Sequence, residues 1–431
     1  MDPAITTLCV LAVAAFLFVT ELIPLAVTAM AACTMLGILG VLPSKAVYAG
    51  LSNSTVVLFG GMFVIGAAMF KTGLAEAIGI AVVKKAGTNE IPLMAAIMIV
   101  TIVLSSVSSN TGTVACLMPV IIGICSVAKL PASKQLMPLA IAANVGGTIT
   151  MIGTPPNVIV TGALTTAGLP TFGFFEFAWI GIPLSLVITI YTLFIGRHMI
   201  AAKSAGAMDE EALKAAKEEA GASDDDAPKS KTKMWISGLI LIGVVLCMAL
   251  DLKTVPLHTA AVTGAILCVV TGCLKEKEAY AGIDWVTIFL FAGMLSVASA
   301  MEKTGAGKLI ADTVVSMMGT NPNPYVLTAV LFLISNVLTQ FMSNTASAAL
   351  LAPIGISIAQ SIGADPKPVL MALGIAASCA FATPMATPPN TLVLGPGGFS
   401  FNDYAKVGVP MCVISLIVCL VVIPIVWPFG M

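Results

Sequence analysis

Two short stretches decide the fold: Ser109-Asn110-Thr111 and, further along the chain, Thr154-Pro155-Pro156-Asn157. Both motifs occur again in the same order, at 343–345 and 387–390, about 233 residues later. Three more matches keep this order and spacing: Tyr-Ala-Gly from 48 and 280, Gly-Met from 61 and 293, and Lys-Thr-Gly from 71 and 303. Five matches in register indicate a duplicated unit. The sequence therefore predicts a first repeat over 1–200, a linker over 201–233 and a second repeat over 234–431.

The composition indicates the class of protein. Of the 431 residues, 58% are apolar and only 10% are charged, whereas about 25% of the residues of a soluble domain are charged. The mean hydropathy is +1.04. So few charges cannot cover the surface of a water-soluble protein of this length, which implies a lipid-facing exterior and an all-α polytopic membrane protein. The net charge of −1 gives no indication of a nucleic-acid partner.

The repeated motifs interrupt the apolar runs in two ways. The runs that flank each Ser-Asn-Thr motif, about 92–128 and 325–362, are separated only by those polar residues, which predicts re-entrant hairpins. The runs that contain Thr-Pro-Pro-Asn, about 136–165 and 368–396, carry two prolines that lack an N–H donor and stop a helix, which predicts broken crossing helices. Irregular backbone at membrane depth is tolerated only inside protein or beside a water-filled cavity. We therefore expect all four interruptions to face one interior site.

Each repeat then has five crossings and one hairpin. Because five is an odd number, the second repeat has the opposite orientation in the membrane, an architecture common among transporters. With the N-terminus outside, the inner side receives the larger share of the 20 lysine and arginine residues, in agreement with the positive-inside rule. We expect a multi-pass protein of the cytoplasmic (inner) membrane whose linker, 201–233, lies in the cytoplasm.

The motifs suit ion binding better than they suit catalysis. Helix N-termini attract anions, and unwound carbonyls with serine and asparagine oxygens suit a hard cation such as sodium. Two motif pairs can therefore build two cation sites around one anion site. The alternative, that the motifs only cap and kink helices, does not account for their repetition in register.

The acidic residues favour sodium over protons as the coupling ion. No Asp or Glu occurs from Ile91 to Phe175, and Asp365 is the only acid from Pro324 to Phe401. Proton-coupled carriers usually place a carboxylate or a histidine within the membrane. The two histidines are far apart in sequence and the ten cysteines form no CxxC pair, so neither a catalytic pair nor a metal cluster is indicated. We expect no enzyme and no cofactor, only Na⁺ as the coupling ion.

The doubled Ser-Asn-Thr motif, with Ser-Cys-Ala-Phe-Ala-Thr-Pro-Met-Ala-Thr-Pro-Pro-Asn-Thr-Leu-Val-Leu-Gly at 378–395, resembles the divalent anion/sodium symporter (DASS) family. These are the sodium-coupled dicarboxylate, citrate and sulfate transporters. The resemblance covers essentially the whole chain and implies a homodimer with a scaffold part and an elevator-type moving part. It implies symport of sodium with a small di- or tricarboxylate such as succinate, malate, fumarate or citrate. The alternatives are a dicarboxylate exchanger and a transporter of sulfate or another inorganic anion with the same fold.

The resemblance also implies roles for individual residues. Sodium would be bound in a first site by Ser105, Ser109, Asn110 and the Gly153 backbone, and in a second site by Thr339, Met342, Asn344 and Ala386. The substrate would contact Asn110, Thr111, Asn344, Thr345, Pro156 and Pro389. The chain starts at the second helix of familiar family members, which predicts ten crossings.

Overall fold

The structure is a computed structural model that describes residues 2–87, 89–206, 210–219, 230–250, 254–318 and 323–429. These ranges are helical and contain no β-strand. The helices before the linker are α1 (Pro3–Thr20), α2 (Leu25–Ile38), α3 (Ser44–Val47), α4 (Ser54–Lys71), α5 (Leu74–Ala86), α6 (Glu90–Val107), α7 (Asn110–Ala128), α8 (Ser133–Gly146), α9 (Pro155–Thr166), α10 (Ala178–Tyr191) and α11 (Arg197–Met199).

Within the predicted linker lies α12 (Glu210–Glu219), while the acidic run at 224–226 falls outside the described residues. After the linker follow α13 (Lys231–Ala249), α14 (Leu257–Val270), α15 (Glu276–Ala281), α16 (Trp285–Thr304), α17 (Ala306–Met318), α18 (Pro324–Thr339), α19 (Asn344–Ser361), α20 (Pro366–Ser378), α21 (Pro388–Leu394) and α22 (Phe401–Val426).

The helices are those of a multi-pass membrane protein. Eight helical segments in the described ranges are long and apolar enough to cross a membrane: α1, α4, α6, α7, α13, α16, α22 and the continuous segment Ala178–Met199. The apolar helices α2, α14 and α18 are shorter. The order of the elements repeats, because α4 to α10 and α16 to α22 each comprise a long helix, a short helix, a helix pair, two half-helices and a final helix.

The Lys-Thr-Gly repeat marks the turn between a long helix and the helix that follows it. Gly73 and Gly305 have φ angles of 81° and 75°, in the left-handed region that favours glycine. These turns lead into α5 and α17, two helices that the sequence analysis does not distinguish from the neighbouring loops. The repeated motif is therefore explained by backbone geometry.

The Gly-Met repeat marks a reciprocal contact between the halves. A Cβ atom on Gly61 would lie 2.8 Å from the carbonyl carbon of Ala261, and one on Gly293 would lie 2.7 Å from that of Ala29. Glycine alone permits such close helix packing. Because both residues of each pair recur at the same spacing, α4 packs on α14 as α16 packs on α2.

The helices form two groups that we name by their members. The frame group comprises α1, α2, α4, α13, α14 and α16, which pack on one another, and the site group comprises α6–α10 and α18–α22. The groups meet where α9 contacts α4 and α16 and where α19 contacts α16, while α5 and α17 contact helices of both groups. Apolar residues such as Val158, Ile159, Phe291 and Ala349 are buried in the cluster at this boundary.

The helix breaks precede the prolines. Helix α8 ends at Gly146 and α9 begins at Pro155, while α20 ends at Ser378 and α21 begins at Pro388. The prolines take the first positions of the second half-helices, where a missing N–H costs little because the first turn has no internal acceptor. The predicted breaks are thus found, but the prolines start a half-helix instead of interrupting one.

Candidate functional site

A cavity of about 520 Å³ lies where the two helix pairs meet the two breaks. Residues 107–111 and 341–345 line it from the tips of the pairs, and residues 152–155 and 385–389 line it from the breaks. All four interruptions of the apolar runs therefore face one cavity, as the sequence predicts.

Most of the residues predicted to bind sodium or substrate line this cavity. They are Ser109, Asn110, Thr111, Gly153, Met342, Asn344, Thr345, Ala386 and Pro389. Ser105 and Thr339 are fully buried and contact the motif asparagines from within the protein. Pro156 is buried and does not line the cavity, whereas its neighbour Pro155 does.

The first clamp, which we define as Ser105, Asn110, Ala143 and Gly153, is a cluster of oxygen atoms. The Ser105 hydroxyl donates towards the Ala143 carbonyl oxygen at 2.8 Å and lies against Asn110 Oδ1. That amide oxygen lies 3.1 Å from each of the Ala143 and Gly153 carbonyl oxygens. Either a cation among these oxygens or a rotated amide that donates to both carbonyls relieves their repulsion.

The second clamp, which we define as Thr339, Asn344 and Ala377, repeats the contacts of the Ser105 hydroxyl in the first clamp. The Thr339 hydroxyl lies 2.5 Å from Asn344 Oδ1 and 2.7 Å from the Ala377 carbonyl oxygen. Each member lies 234 residues after its counterpart Ser105, Asn110 or Ala143. The two alanine carbonyls belong to the backbone, which every residue has, so no sequence pattern marks them.

The asparagine that ends each Thr-Pro-Pro-Asn motif supports the unwound segment before it. Asn157 Nδ2 donates to the Thr150 carbonyl at 2.9 Å, and Asn390 Nδ2 donates to the Thr383 carbonyl at 2.9 Å. Buried carbonyls outside a helix need such partners. These asparagines hold the shape of the cavity wall from inside the protein.

Four helices begin at the cavity, and no basic side chain of the described residues lines it. Helices α7, α9, α19 and α21 all begin at its wall, so four N-termini with partial positive charge point towards it. Asn110, Thr111, Asn344 and Thr345 add amide and hydroxyl groups. The charged side chains among the lining residues are acidic, namely Glu21 after α1 and Asp284 before α16, and the sequence analysis assigns neither to the site.

Comparison with known proteins identifies the family. The citrate transporter family model matches residues 15–366 and 345–429, which together cover most of the chain. The chain belongs to the citrate transporter family. The resemblance to DASS-type transporters that the doubled motifs indicate is thereby confirmed. Because the family and the relatives below are transporters, this citrate transporter family member is a transporter and not an enzyme.

Curated relatives extend over the whole chain. An uncharacterized transporter of Haemophilus influenzae is 30% identical over 433 residues, which is 95% of this chain and 89% of the relative. The uncharacterized transporter YfbS of Escherichia coli is 25% identical in an alignment of 606 positions, gaps included, which covers 99% of each chain. The sodium-dependent dicarboxylate transporter SdcS of Staphylococcus saprophyticus is 26% identical and covers 94% of this chain and 83% of its own length.

Solved structures share the fold of this citrate transporter family member. The YdaH transporter of Alcanivorax borkumensis matches with a TM-score of 0.67 at 15% identity, over 97% of this chain and 100% of the other. MtrF of Neisseria gonorrhoeae matches with a TM-score of 0.63 at 14% identity, over 91% and 84%. At these identities the likeness concerns the fold of a polytopic transporter.

Proposed function

We propose that the protein couples the movement of sodium ions to the uptake of a small di- or tricarboxylate across the cytoplasmic membrane. The observation that carries this proposal is the pair of clamps built from neutral oxygens, placed on either side of a cavity at which four helices begin. The two clamps supply the sodium sites and the helix N-termini supply the anion site.

Sodium suits the clamps because their ligands are uncharged oxygens. Carbonyl, amide and hydroxyl oxygens are hard ligands for a hard cation, and unwound backbone in transporters provides them. The first site would use Ser105, Ser109, Asn110, the Gly153 carbonyl and, in addition, the Ala143 carbonyl. The second site would use Thr339, Met342, Asn344 and Ala386 and, in addition, the Ala377 carbonyl.

A carboxylate substrate suits the space between the clamps. The volume of about 520 Å³ is within the range of roughly 300–1,000 Å³ typical of small-molecule sites. One carboxylate would meet Asn110 and Thr111 and the other would meet Asn344 and Thr345, each near a helix N-terminus. Two bound sodium ions would offset the negative charge of the substrate, which supports symport. The name of the SdcS relatives agrees with this substrate class.

Three ion pairs between described residues support the inverted topology. Each joins two residues that the inverted arrangement assigns to the same side of the membrane: inside for Lys71–Glu278 at 3.1 Å and Lys203–Asp403 at 3.3 Å, outside for Glu176–Lys367 at 2.7 Å. The acidic cavity residues, Glu21 and Asp284, belong to the inner side in this arrangement. The cavity would therefore open to the cytoplasm, with the linker on the same side.

The two helix groups support an elevator mechanism in a homodimer. Lys203–Asp403 and Glu176–Lys367 each join helices or adjoining loops of the site group, Lys71–Glu278 joins α4 of the frame group to α15, and the boundary between the groups includes apolar side chains. A site group that moves along the frame group would carry both clamps together. Distances between spin labels on α14 and α7 should then fall into two populations, and light scattering should give the mass of two chains.

A thermal-shift experiment on the detergent-purified protein tests the proposal. We expect NaCl, but not choline chloride, to raise the melting temperature, and succinate, malate, fumarate or citrate to raise it further only when sodium is present. A shift with these anions that does not depend on sodium would contradict sodium coupling. A sodium-dependent shift with sulfate alone would support the inorganic anion as the substrate.

A further inference from the structure

At one pair of equivalent positions, the two halves of the site carry side chains with different hydrogen-bond partners. Asn144 follows the clamp carbonyl of Ala143, and Ser378 follows the clamp carbonyl of Ala377 at the same spacing of 234 residues. Both side chains are buried. The Ser378 hydroxyl donates to the Gly374 carbonyl of its own helix at 2.9 Å. Asn144 instead reaches across to the other half.

Asn144 holds the start of α21. Its Nδ2 atom donates to Thr387 Oγ1 at 3.1 Å and to Asn390 Oδ1 at 3.0 Å. The amide of Asn390 has a fixed orientation, because its own Nδ2 donates to the Ala380 and Thr383 carbonyls at 3.0 and 2.9 Å. The Oδ1 atom of Asn390 therefore faces Asn144 and accepts the hydrogen bond, and the Nδ2 atom of Asn144 donates it.

Among the described residues, the first half has no such connection. Asn157, the counterpart of Asn390, has a buried Oδ1 without a hydrogen-bond partner among the described residues. A Cβ atom on Gly374 would lie 3.6 Å from that oxygen. Ser378 lies one turn beyond Gly374 on the same face of α20, but its side chain is too short and is turned back to its own helix. The connection between the halves thus runs in one direction.

We propose that Asn144 is a positioning residue that couples the two sodium sites, an inference that rests on the proposed function. Its backbone adjoins the Ala143 carbonyl of the first clamp, and its side chain orients Thr387, which follows Ala386 of the second site. Sodium in the first clamp orders the end of α8, and Asn144 transmits this order to the start of α21. The second ion then binds to a segment that is already ordered, which gives positive cooperativity.

The test compares variants that remove, add or exchange the connection. Asn144→Ser gives the first half the residue of the second, Ser378→Asn offers a donor to Asn157 Oδ1, and the double variant moves the connection from one half to the other. Sodium binding to each purified protein is titrated by isothermal calorimetry at constant ionic strength with choline chloride. The Hill coefficient is the informative quantity. Substitution of a residue with only a structural role lowers the melting temperature but leaves the Hill coefficient unchanged.

We expect a Hill coefficient above 1 for the natural chain and close to 1 for Asn144→Ser, with the half-saturating sodium concentration raised about tenfold, which corresponds to about 1.4 kcal/mol. The double variant should regain a Hill coefficient above 1. An unchanged Hill coefficient in Asn144→Ser would overturn the inference and leave the proposed function intact. If Asn144→Ser does not fold, the Ser378→Asn variant provides the test. Its added connection should lower the half-saturating sodium concentration, and a value no lower than that of the natural chain would overturn the inference. If the natural chain binds no sodium, the proposed function itself fails.

Discussion

Replacement of Gly153 by alanine should disable the first sodium site while the fold persists. A Cβ atom at this position would lie 2.5 Å from the Gly147 carbonyl oxygen and 2.9 Å from the Gly147 Cα atom. Real Cβ contacts are not this short, and the obstructing atoms are backbone atoms that cannot rotate away. The unwound segment must therefore move, and with it the Gly153 carbonyl that lies 3.1 Å from Asn110 Oδ1.

The size of the effect follows from the cost of overpacking. Inserting a methyl group into a well-packed region typically costs about 1–3 kcal/mol. If sodium binding bears this cost, the half-saturating sodium concentration rises by roughly 5- to 150-fold. The second clamp keeps its own ligands, so one sodium-binding step should remain, weakened by up to about tenfold because sodium in the first clamp no longer favours it through Asn144.

The assay is calorimetric titration of purified Gly153→Ala with sodium, together with a thermal melt. Gly123→Ala is the matched control, because Gly123 lies on α7, the helix that begins at Asn110 of the first clamp, and a Cβ atom there would meet nothing within 4 Å. The control should bind sodium normally and melt at an equal or slightly higher temperature. If Gly153→Ala binds sodium as tightly as the control, the first clamp is not a sodium site.

Three further predictions follow from individual contacts. Thr339→Val should raise the half-saturating sodium concentration about tenfold, which corresponds to about 1.4 kcal/mol. Thr339→Ser keeps the hydroxyl and should not raise it. Equal half-saturating sodium concentrations for the two variants would argue against the second clamp. Burial alone would raise the pKa of Glu278, but hydrogen bonds and the Lys71 ammonium lower it overall from 4.5. Its ion pair therefore stabilises the fold at pH values above the ordinary glutamate pKa and ceases to do so as the pH falls through the lowered pKa. The melting temperature of Glu278→Gln should therefore differ from that of the natural chain at neutral pH, and the two should converge at acidic pH. Glu176→Gln, which removes the charge facing Lys367, should lower stability by up to about 1 kcal/mol, and added salt should shrink the difference between the melting temperatures.

The parts of the site that the sequence predicts are those that recur. Ser109-Asn110-Thr111 and Thr154-Pro155-Pro156-Asn157 are visible because two copies stand in register and because proline and asparagine have strong backbone preferences. Their convergence on one cavity follows from the rule that irregular backbone inside a membrane must be sheltered by protein or water. A repeated motif therefore predicts both the break and its place.

Other parts of the site are not marked by any repeated motif in the sequence. Asn144 has Ser378 as its counterpart, so its role depends on a difference between the halves and not on a repeat. The carbonyls of Ala143 and Ala377 act through the backbone, which any residue possesses. Asp284 reaches the cavity because α16 begins beside it, a relation between distant segments that only the packing of the helices reveals.

Uptake into proteoliposomes tests the central claim most directly, namely that two neutral-oxygen clamps couple sodium to an anion. Radiolabelled succinate, malate, fumarate and citrate are offered to vesicles that contain the natural chain, Asn110→Ala or Asn344→Ala, with an inward sodium or choline gradient. The account predicts concentrative uptake of at least one of these anions with the sodium gradient only, and its loss in both variants while each remains folded. Uptake that is equal with sodium and choline, or that requires only dicarboxylate preloaded inside the vesicles, would contradict sodium-coupled symport.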